Sequence, residues 1–215
     1  MTVIPLVLRL RKQAHRRVAE AQDLVVKELY GVFDGAVLHG GTAIWRCFQG
    51  NRFSEDIDAY LPGDVNRVGA FFKNLERAGF IVKKRKTTDN ALYSNLEYNG
   101  TVVRFEALFR IMDGSLSEFE ASDGNVLMVY TLTPEELVNE KTAAYLNRLK
   151  VRDLYDVFYL LSRVKDRDKV RKGLERLIRE YKPPADEEDL KVLIIEGLTP
   201  PADKMLDYIR RWSHG

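Results

Sequence analysis

Two aspartates lie two residues apart in the stretch Asp56-Ile57-Asp58, which opens an alternating segment ending at Leu61. Side chains two apart in a strand point to the same side, so Asp56 and Asp58 share one face and Ile57 lies on the other. Carboxylates about 6 to 7 Å apart along a strand repel each other unless a cation lies between them. Oxygen ligands without His or Cys favour a hard ion, Mg²⁺ or Mn²⁺, which also takes oxygens from a substrate phosphate. The pair therefore predicts a divalent-metal site.

A glycine pair precedes these aspartates, where Gly40 and Gly41 are followed by Thr42. The apolar run before the glycines predicts a buried strand, and Thr42 is predicted to open a helix over residues 43–48. A helix N-terminus offers free N–H groups and a positive dipole end to a phosphate, and glycines allow the phosphate close to the backbone. Alone, the glycines are also typical of an ordinary strand-to-helix turn, and the aspartate pair of an exposed edge strand. Together, in one predicted strand-turn-helix-strand arrangement, the glycine pair and the aspartate pair indicate a phosphate and metal site more strongly than either does alone.

The elements that must position these residues alternate between helix and strand up to about residue 131. Apolar residues at helical spacing predict helices over 6–30, 43–48 and 66–78. Alternating or short apolar runs predict strands over 36–39, 56–61, 80–84, 91–98, 101–110 and 125–131. Asn99-Gly100 is a strong signal for a hairpin turn between two of the strands. This half of the chain is therefore predicted to hold a sheet with flanking helices.

The second part of the chain has helical patterns only. It begins at Thr133, Pro134 and Glu136, which combine a capping threonine, a first-turn proline and a capping-box glutamate. Helices are predicted over 134–149, 153–164, 166–181, 186–196 and 201–212. The change predicts an α+β protein with two domains, an α/β core over residues 1–132 and a helical domain over 133–215.

Composition sets limits on the class of protein. A hydrophobic content of 45% can fill a globular core, and the single cysteine, Cys47, excludes an intrachain disulfide and a cysteine-rich zinc site. The apolar start of the chain is too short to span a bilayer, so a cytoplasmic protein without membrane association is expected. The 34 Lys and Arg nearly balance 32 Asp and Glu, but the basic residues are clustered near 9–17, 83–86 and 141–182. These clusters form either a phosphate-binding face or ordinary solvated helix faces.

Two blocks of the sequence carry a family resemblance. The stretch HGGTAI at 39–44, followed by RFSEDID at 52–58, resembles the signature of the AbiEii/AbiGii toxin nucleotidyltransferases, a branch of the polymerase-β-like superfamily. The stretch EKTAA at 140–144, then Arg148 and RDLYD at 152–156, is similar to that family's later motif, in which a lysine precedes an Arg-Asp-x-Tyr-Asp run. The blocks lie in the order that the family has.

The resemblance implies a fold and a metal site. The expected fold is a polymerase-β-like mixed sheet with flanking helices, followed by a C-terminal helical bundle. Asp56 and Asp58 would bind the metal, with a third acidic residue on a neighbouring strand. By order and strand context that residue is Glu106, which alternation places on one face with Arg104 and Leu108. The alternative for Glu106 is a cross-strand ion pair.

The later motif implies further functional residues. Lys141 would hold the phosphates of a nucleotide, with Arg148 near the same helical stripe. Asp156 would belong to the active centre and position Lys141 or the acceptor hydroxyl. The alternatives are a plain surface lysine at 141 and a helix cap at Asp153. The predicted catalytic residues are Asp56, Asp58, Glu106, Lys141 and Asp156, of which the first three are the metal ligands. The predicted nucleotide-binding residues are Gly40, Gly41, Thr42, Arg52, Ser54, Lys141 and Arg148.

The activity implied by the resemblance is transfer of a nucleoside monophosphate from an NTP to an acceptor, with Mg²⁺ or Mn²⁺ as cofactor and release of pyrophosphate. The expected acceptor is the 3′ end of a tRNA, and the expected biological role is the toxin of a type IV-like toxin–antitoxin pair with a cognate antitoxin protein. Two alternatives stay open at this point. One is nucleotidylation (AMPylation) of a protein hydroxyl, and the other is a catalytically inactive binding module that keeps the fold.

Overall fold

Seven strands form one mixed sheet in the computed structural model, which describes residues 4–63 and 65–214. The strands are β1 (Val37–His39), β2 (Asp56–Leu61), β3 (Ile81–Thr87), β4 (Ala91–Tyr98), β5 (Thr101–Phe109), β6 (Ser115–Glu120) and β7 (Val126–Thr131). Their order across the sheet is β3-β4-β5-β2-β1-β7-β6. β2 runs parallel to β5 and β1 parallel to β7, whereas the other neighbours are antiparallel. The predicted α+β class with a mixed sheet is confirmed.

Helices precede, interrupt and follow the sheet. They are α1 (Leu6–Arg9), α2 (Gln13–Val32), α3 (Gly40–Cys47), α4 (Val65–Arg77), α5 (Pro134–Arg148), α6 (Val151–Leu160), α7 (Asp168–Glu180), α8 (Leu190–Leu193) and α9 (Ala202–His214), with short 3₁₀ turns at Leu161–Arg163 and Glu187–Asp189. No helix within the described ranges combines the length and the apolar character needed to cross a membrane.

The chain divides into two compact units. The sheet unit comprises Met1–Gln49 and Phe53–Thr131, and the helical unit comprises Gly50–Arg52 and Leu132–Gly215. A three-residue segment from the loop before β2 thus belongs with the helices, which the sequence pattern did not indicate. The predicted division into an α/β core over residues 1–132 and a helical domain over residues 133–215 stays a prediction.

One face of the sheet is buried beneath helices of the same unit. Ile57, Ala59 and Leu61 on β2 have no exposed surface and belong to a core that also contains Phe71 of α4 and Phe105 of β5. The rings of Phe71 and Phe105 lie 5.1 Å apart between centroids. Because alternate residues of a strand face opposite sides, burial of this row leaves Asp56 and Asp58 on the other face.

The sheet unit departs from the prediction at one helix and one strand. The single helix over 6–30 is wrong, because α1 ends at Arg9 and the chain is extended at Leu10 before α2 begins at Gln13. Tertiary contacts favour the break, since Leu10 is fully buried and Arg9 forms a 2.5 Å ion pair with Glu120. Strand β6 had no counterpart in the prediction. It is an edge strand with one fully buried residue, Phe119, so its sequence lacks an apolar alternation.

The helical unit begins as its sequence indicates. At the start of α5, Glu136 donates its backbone N–H to the hydroxyl of Thr133, and the backbone N–H of Thr133 donates to the Glu136 carboxylate at 2.8 Å. The predicted helix over 186–196 is wrong, because the range contains only a 3₁₀ turn at Glu187–Asp189 and the single turn α8. Ile194 instead makes a β-bridge to Arg52, and Ile195 donates its N–H to the carbonyl of Asn51 at 2.8 Å. These bridge contacts favour an extended chain over a longer helix.

Candidate active site

Four charged side chains meet on the open face of the sheet unit. The parallel register of β2 and β5 places Asp56 opposite Arg104 and Asp58 opposite Glu106. Burial alternates along both strands as predicted, with these four residues partly or fully exposed. Neighbouring strands lie only about 4.8 Å apart, so three carboxylates and one guanidinium share a small area.

Arg104 partly compensates the negative charge of this cluster. Its guanidinium donates to Oδ1 of Asp56 at 2.9 Å and lies 3.9 Å from Oε1 of Glu106. Partial burial and then the charge of Asp58 raise the pKa of Glu106 above its usual range, Arg104 opposes that shift, and Asp56 adds to it. Three carboxylates this close together repel one another, and Arg104 offsets part of that repulsion. The 3.9 Å contact between Arg104 and Glu106 lies within β5, so it is not the cross-strand ion pair weighed for Glu106.

Gly40 has a specific steric role beside Asp58. It is the first residue of α3 and adopts a φ of 71°, a left-handed conformation that glycine tolerates best. A Cβ at this position would lie 2.9 Å from Cγ of Asp58 and closer still to its carboxylate oxygen. The glycine thus lets the aspartate lie against the start of the helix. The helix also begins three residues earlier than predicted, so both glycines lie within its first turn.

Thr42 is fixed by the strand that carries the aspartates. It is buried, and its hydroxyl donates to the backbone carbonyl of Asp56. The hydroxyl therefore joins α3 to β2 and sets the position of the first carboxylate. Roles of Gly40, Gly41 and Thr42 in nucleotide binding stay predictions.

Gln22 of α2 supports the same region, and the sequence reasoning missed it. Its side-chain amide is fully buried and donates to the carbonyls of Ser54 and Glu55 at 3.0 and 3.2 Å. The amide also lies 3.4 Å from the Thr42 hydroxyl. These contacts hold the backbone immediately before β2. The sequence contains a signal for this role. Gln22 follows Ala19 by three residues on the buried face of an amphipathic helix, where a polar side chain needs hydrogen-bond partners.

A second charged cluster lies within the helical unit. Arg52 binds Asp156 through two hydrogen bonds of 2.8 Å each. The ammonium of Lys141 lies 3.4 Å from Asp156 and 3.8 Å from Asp153. The Arg52, Asp156 and Lys141 side chains are only 5%, 2% and 8% exposed, so the surface role considered for Lys141 is wrong. Burial would raise the pKa of Asp156, but the charges of Arg52 and Lys141 and their hydrogen bonds outweigh it and lower that pKa.

Arg148 extends this cluster through Asp153. Its guanidinium makes hydrogen bonds of 2.7 and 2.8 Å to the two carboxylate oxygens of Asp153, which is fully buried. Helix α6 has Lys150 at its N-cap position, and Asp186 accepts a 2.8 Å hydrogen bond from the N–H of Val151. The helix-cap alternative for Asp153 is therefore wrong. Asp153 is a member of the buried network instead.

The predicted site residues divide between the two units. The sheet unit contains Gly40, Gly41, Thr42, Ser54, Asp56, Asp58 and Glu106, and the helical unit contains Arg52, Lys141, Arg148 and Asp156. Over residues 4–63 and 65–214, no three His, Cys, Asp or Glu side chains are already gathered as a metal site. The assignment of these residues to catalysis, nucleotide binding and metal binding stays a prediction.

A family model agrees with this fold and these motifs. The model described as nucleotidyl transferase AbiEii toxin, type IV toxin–antitoxin system, matches residues 27–207, which is most of the chain. The protein belongs to the AbiEii family. Family membership confirms the resemblance drawn from the two sequence blocks and makes the protein a nucleotidyltransferase. It also implies an NTP substrate and an antitoxin partner.

Solved structures share the fold of this AbiEii-family protein. MenT4, a nucleotidyltransferase toxin from Mycobacterium tuberculosis, is 20% identical with a TM-score of 0.64, over 93% of this chain and 87% of that one. JHP933 from Helicobacter pylori is 18% identical with a TM-score of 0.66, over 94% of this chain and 91% of that one. No curated protein matches the chain in sequence. At these identities the similarities establish the fold, a mixed sheet with flanking helices and a helical C-terminal region.

Proposed function

We propose that this AbiEii-family toxin uses a divalent metal ion to transfer a nucleoside monophosphate from an NTP to the 3′ end of a tRNA. One observation carries the proposal. Two aspartates on one face of β2 lie beside Glu106 of β5, and Gly40 of α3 leaves room for Asp58. Three carboxylates grouped on one face of the sheet form a cluster to which a divalent cation would be attracted.

The donor set fits Mg²⁺ or Mn²⁺ in its chemistry. Asp56 and Asp58 would hold the ion through carboxylate oxygens, with Glu106 as the proposed third ligand. The raised pKa of Glu106 reflects repulsion from Asp58 in addition to partial burial, and it supports a need for a cation at this place. When bound, the ion would neutralise these charges and polarise the phosphate that is attacked.

The proposed reaction is an in-line substitution at the α-phosphorus of the NTP. The acceptor hydroxyl oxygen forms a bond to that phosphorus, and the bond from phosphorus to the oxygen leading to the β-phosphate breaks. Pyrophosphate leaves, and the hydroxyl proton is released to water. Gly40 and Gly41 would contribute backbone N–H groups at the start of α3 to the phosphates. The contribution of the protein is positioning and charge compensation rather than a covalent intermediate.

The helical unit has a narrower part in the proposal. Asp153 and Asp156 hold the ammonium of Lys141, and Arg52 in turn holds Asp156. We propose that Asp156 orients Lys141 for contact with phosphate, with Arg148 as a further phosphate ligand. Arg148 has a side chain that is 43% exposed although it binds Asp153, so part of this side chain remains accessible. A cytoplasmic location belongs to the same proposal, because the tRNA substrate is found there.

The decisive experiment is incubation of the purified protein with each α-labelled NTP, Mg²⁺ or Mn²⁺, and either total tRNA or a cell lysate. Asp58→Asn serves as the inactive control. We expect label on tRNA with the wild type and none with the variant, and the labelled NTP identifies the nucleotide that is transferred.

Other outcomes would contradict the proposal in different ways. Label on a protein would assign the same chemistry to a protein hydroxyl. Absence of label from every acceptor in the lysate would favour a binding module that has kept the nucleotidyltransferase fold. Full transfer in the presence of EDTA would contradict the metal requirement alone.

A further inference from the structure

An open groove of about 620 Å³ crosses the exposed face of β3, β4 and β5 in the sheet unit. Its volume is in the range of small-ligand sites. Asp56 and Glu106 line one end, and Lys84 and Lys86 line another part, with Tyr93 between them. The groove therefore leads from the carboxylate cluster to a basic edge of the sheet.

A β-bulge creates the basic part of this groove. The pairing of β3 with β4 shifts between Val82 and Lys84, so that Lys84 lies opposite Asn95 and Lys86 opposite Tyr93. Directly paired residues point to the same side of a sheet, and a bulge changes which side the following residues face. The shift places Lys84 and Lys86 on the face that carries the carboxylates.

Arg85 lies on the opposite face as a consequence of the same register. Its guanidinium carbon is 4.3 Å from the centre of the Phe72 ring, which is buried beneath the sheet. One basic cluster in the sequence is therefore split between two sides of the molecule. Arg85 provides a cation of the same region that does not line the groove.

Two rows of side chains cross the groove from strand to strand. In one row Lys86, Tyr93, Glu106 and Asp58 are successive neighbours. Four strands span about 14 Å. The four-stranded sheets of RNA-recognition domains have a similar width and stack two or three bases on their aromatic side chains. The aromatic residue of this row is thus one strand away from the carboxylates.

The side chains of the groove suit an unpaired polynucleotide. Tyr93 is 42% exposed, and an exposed ring on a sheet can stack on a base of any sequence. Within the part of the chain that the structure describes, the side chains of Lys84 and Lys86 form no hydrogen bond or ion pair, so both ammonium groups can contact phosphates. Lysines are also common on edge strands because they block pairing with other chains. Blocking of strand pairing requires neither an aromatic residue beside the lysines nor a groove that connects them to the carboxylates.

We infer that this groove binds the unpaired 3′ end of the RNA acceptor, with Tyr93 stacking on a base and Lys84 and Lys86 contacting phosphates. The inference rests on the proposed function, because the strand would lead its terminal hydroxyl towards Asp58 and Glu106. It assigns the acceptor to a surface that is distinct from the start of α3, where the NTP phosphates are proposed to bind.

Binding of RNA can be measured separately from nucleotide transfer. The probe is a fluorescein-labelled single-stranded RNA of about 12 nucleotides, a length within the range of single-strand sites. Fluorescence anisotropy with the full chain, without NTP, gives the affinity at several salt concentrations. The variants are Tyr93→Ala, Tyr93→Phe and the pair Lys84→Ala with Lys86→Ala, and Arg85→Gln is the matched control. Thermal melting checks that each variant is folded.

We expect Tyr93→Ala to weaken binding at least about fivefold and Tyr93→Phe to retain it, because phenylalanine keeps the stacking surface. Loss of both lysines should reduce the slope of log affinity against log salt by about 1.4, since each phosphate contact on a single strand contributes about 0.7. Arg85→Gln should leave affinity and slope near wild type. A blunt RNA duplex should bind more weakly and respond little to Tyr93→Ala.

The same variants in the transfer assay separate the two hypotheses. The groove assignment is supported if the wild-type protein labels RNA and Tyr93→Ala has an increased KM for RNA with little change in kcat. RNA labelling with unchanged affinity in the Tyr93 and lysine variants overturns the groove assignment and leaves the proposed function intact. Label on protein instead of RNA overturns the proposed function and, with it, this inference.

Discussion

The two charged clusters of this protein differ in how far their side chains are buried from solvent. In the sheet unit, Asp56, Asp58 and Glu106 lie on a partly exposed face with Arg104 as the neighbouring cation. In the helical unit, Asp156 is buried between Arg52 and Lys141. The first cluster groups three carboxylates in a place that a ligand can reach, whereas in the second the charge of Asp156 is compensated by two buried partners.

This difference predicts different consequences of mutation. Solvent screens the repulsion among exposed carboxylates, so changing one of them has a small effect on folding. A buried ion pair behaves differently, because removal of one partner leaves the other charge desolvated and unpaired. We expect variants in the sheet cluster to lose activity without losing stability. Variants in the helical cluster should lose stability first.

The largest expected effect on activity comes from Asp58→Asn. We expect nucleotide transfer to fall by about 1000-fold or more, equivalent to about 4 kcal/mol of barrier, because a proposed metal ligand loses its charge. The free energy of unfolding should change by less than about 1 kcal/mol, since the side chain is partly exposed. Initial rates with labelled NTP and urea unfolding measure the two quantities.

Asp34→Asn is the matched control for this variant. Asp34 belongs to the same unit, and its side chain is 92% exposed in a 3.5 Å pair with Arg67. The control should retain the wild-type rate. A rate for Asp58→Asn within about tenfold of wild type would contradict its assignment as a metal ligand.

The largest expected effect on stability comes from Asp156→Ala. Loss of this carboxylate leaves Arg52 and Lys141 buried without their shared partner, and we expect the free energy of unfolding to fall by about 3 to 5 kcal/mol. Urea unfolding followed by circular dichroism measures the change. A loss of activity at temperatures where the variant is still folded would add support for a role in positioning Lys141.

An exposed ion pair in the same unit provides the comparison. Asp168 pairs with Arg171 at 2.7 Å, but the two side chains are 83% and 59% exposed. Asp168→Ala should therefore have a much smaller effect than Asp156→Ala. Equal effects of the two variants would show that burial of the network is not what makes it important for stability.

Gly40→Ala tests the link between the helix start and the sheet cluster. A left-handed conformation costs a non-glycine residue about 1 to 2 kcal/mol, and the added Cβ would displace Asp58. We expect a moderate loss of stability together with at least about a tenfold loss of activity, since small displacements of catalytic groups have large effects. Both are measured as for Asp58→Asn.

Gly69→Ala is the matched glycine control. Gly69 lies within α4, and a Cβ there would meet no atom within 4 Å among the described residues. Alanine is favoured over glycine in a helix, so this variant should be slightly more stable than wild type, by about 0.5 to 1 kcal/mol. If Gly40→Ala behaved in the same way, the steric argument for Asp58 would be wrong.

Short-range patterns in the sequence were sufficient for much of the fold and for the face of β2 that carries the aspartates. Strands β2 and β4 have the predicted bounds, because apolar alternation and the Asn99-Gly100 turn are local signals. The capping box of α5 was predicted for the same reason. Patterns within about ten residues therefore define most elements of this chain.

Features that depend on distant residues were not predictable in this way. The bridge from Arg52 to Ile194 joins segments far apart in sequence and replaces a predicted helix. The hydrogen bonds of Gln22 to the chain before β2 also depend on packing of α2 against the sheet. The parallel register that places Glu106 beside Asp58 is a third example. The position of Glu106 along the chain and within its strand suggested that residue, but it did not show which aspartate lies next to it. Each case requires knowledge of which strands and helices are neighbours.

The smallest expected effect concerns the pH dependence of the helical cluster. The folded-state pKa of Asp156 lies below its ordinary value of 3.8, so its contribution to stability is present above that value and is lost as the pH falls through the folded-state pKa. The difference in unfolding free energy between wild type and Asp156→Asn should therefore be constant from about pH 7 to pH 5 and smaller at pH 3. Urea unfolding of both proteins over this range measures it. A difference that stays constant down to pH 3 would mean that the charge of Asp156 does not stabilise the folded protein, and the contrast between the two clusters would then rest on packing alone.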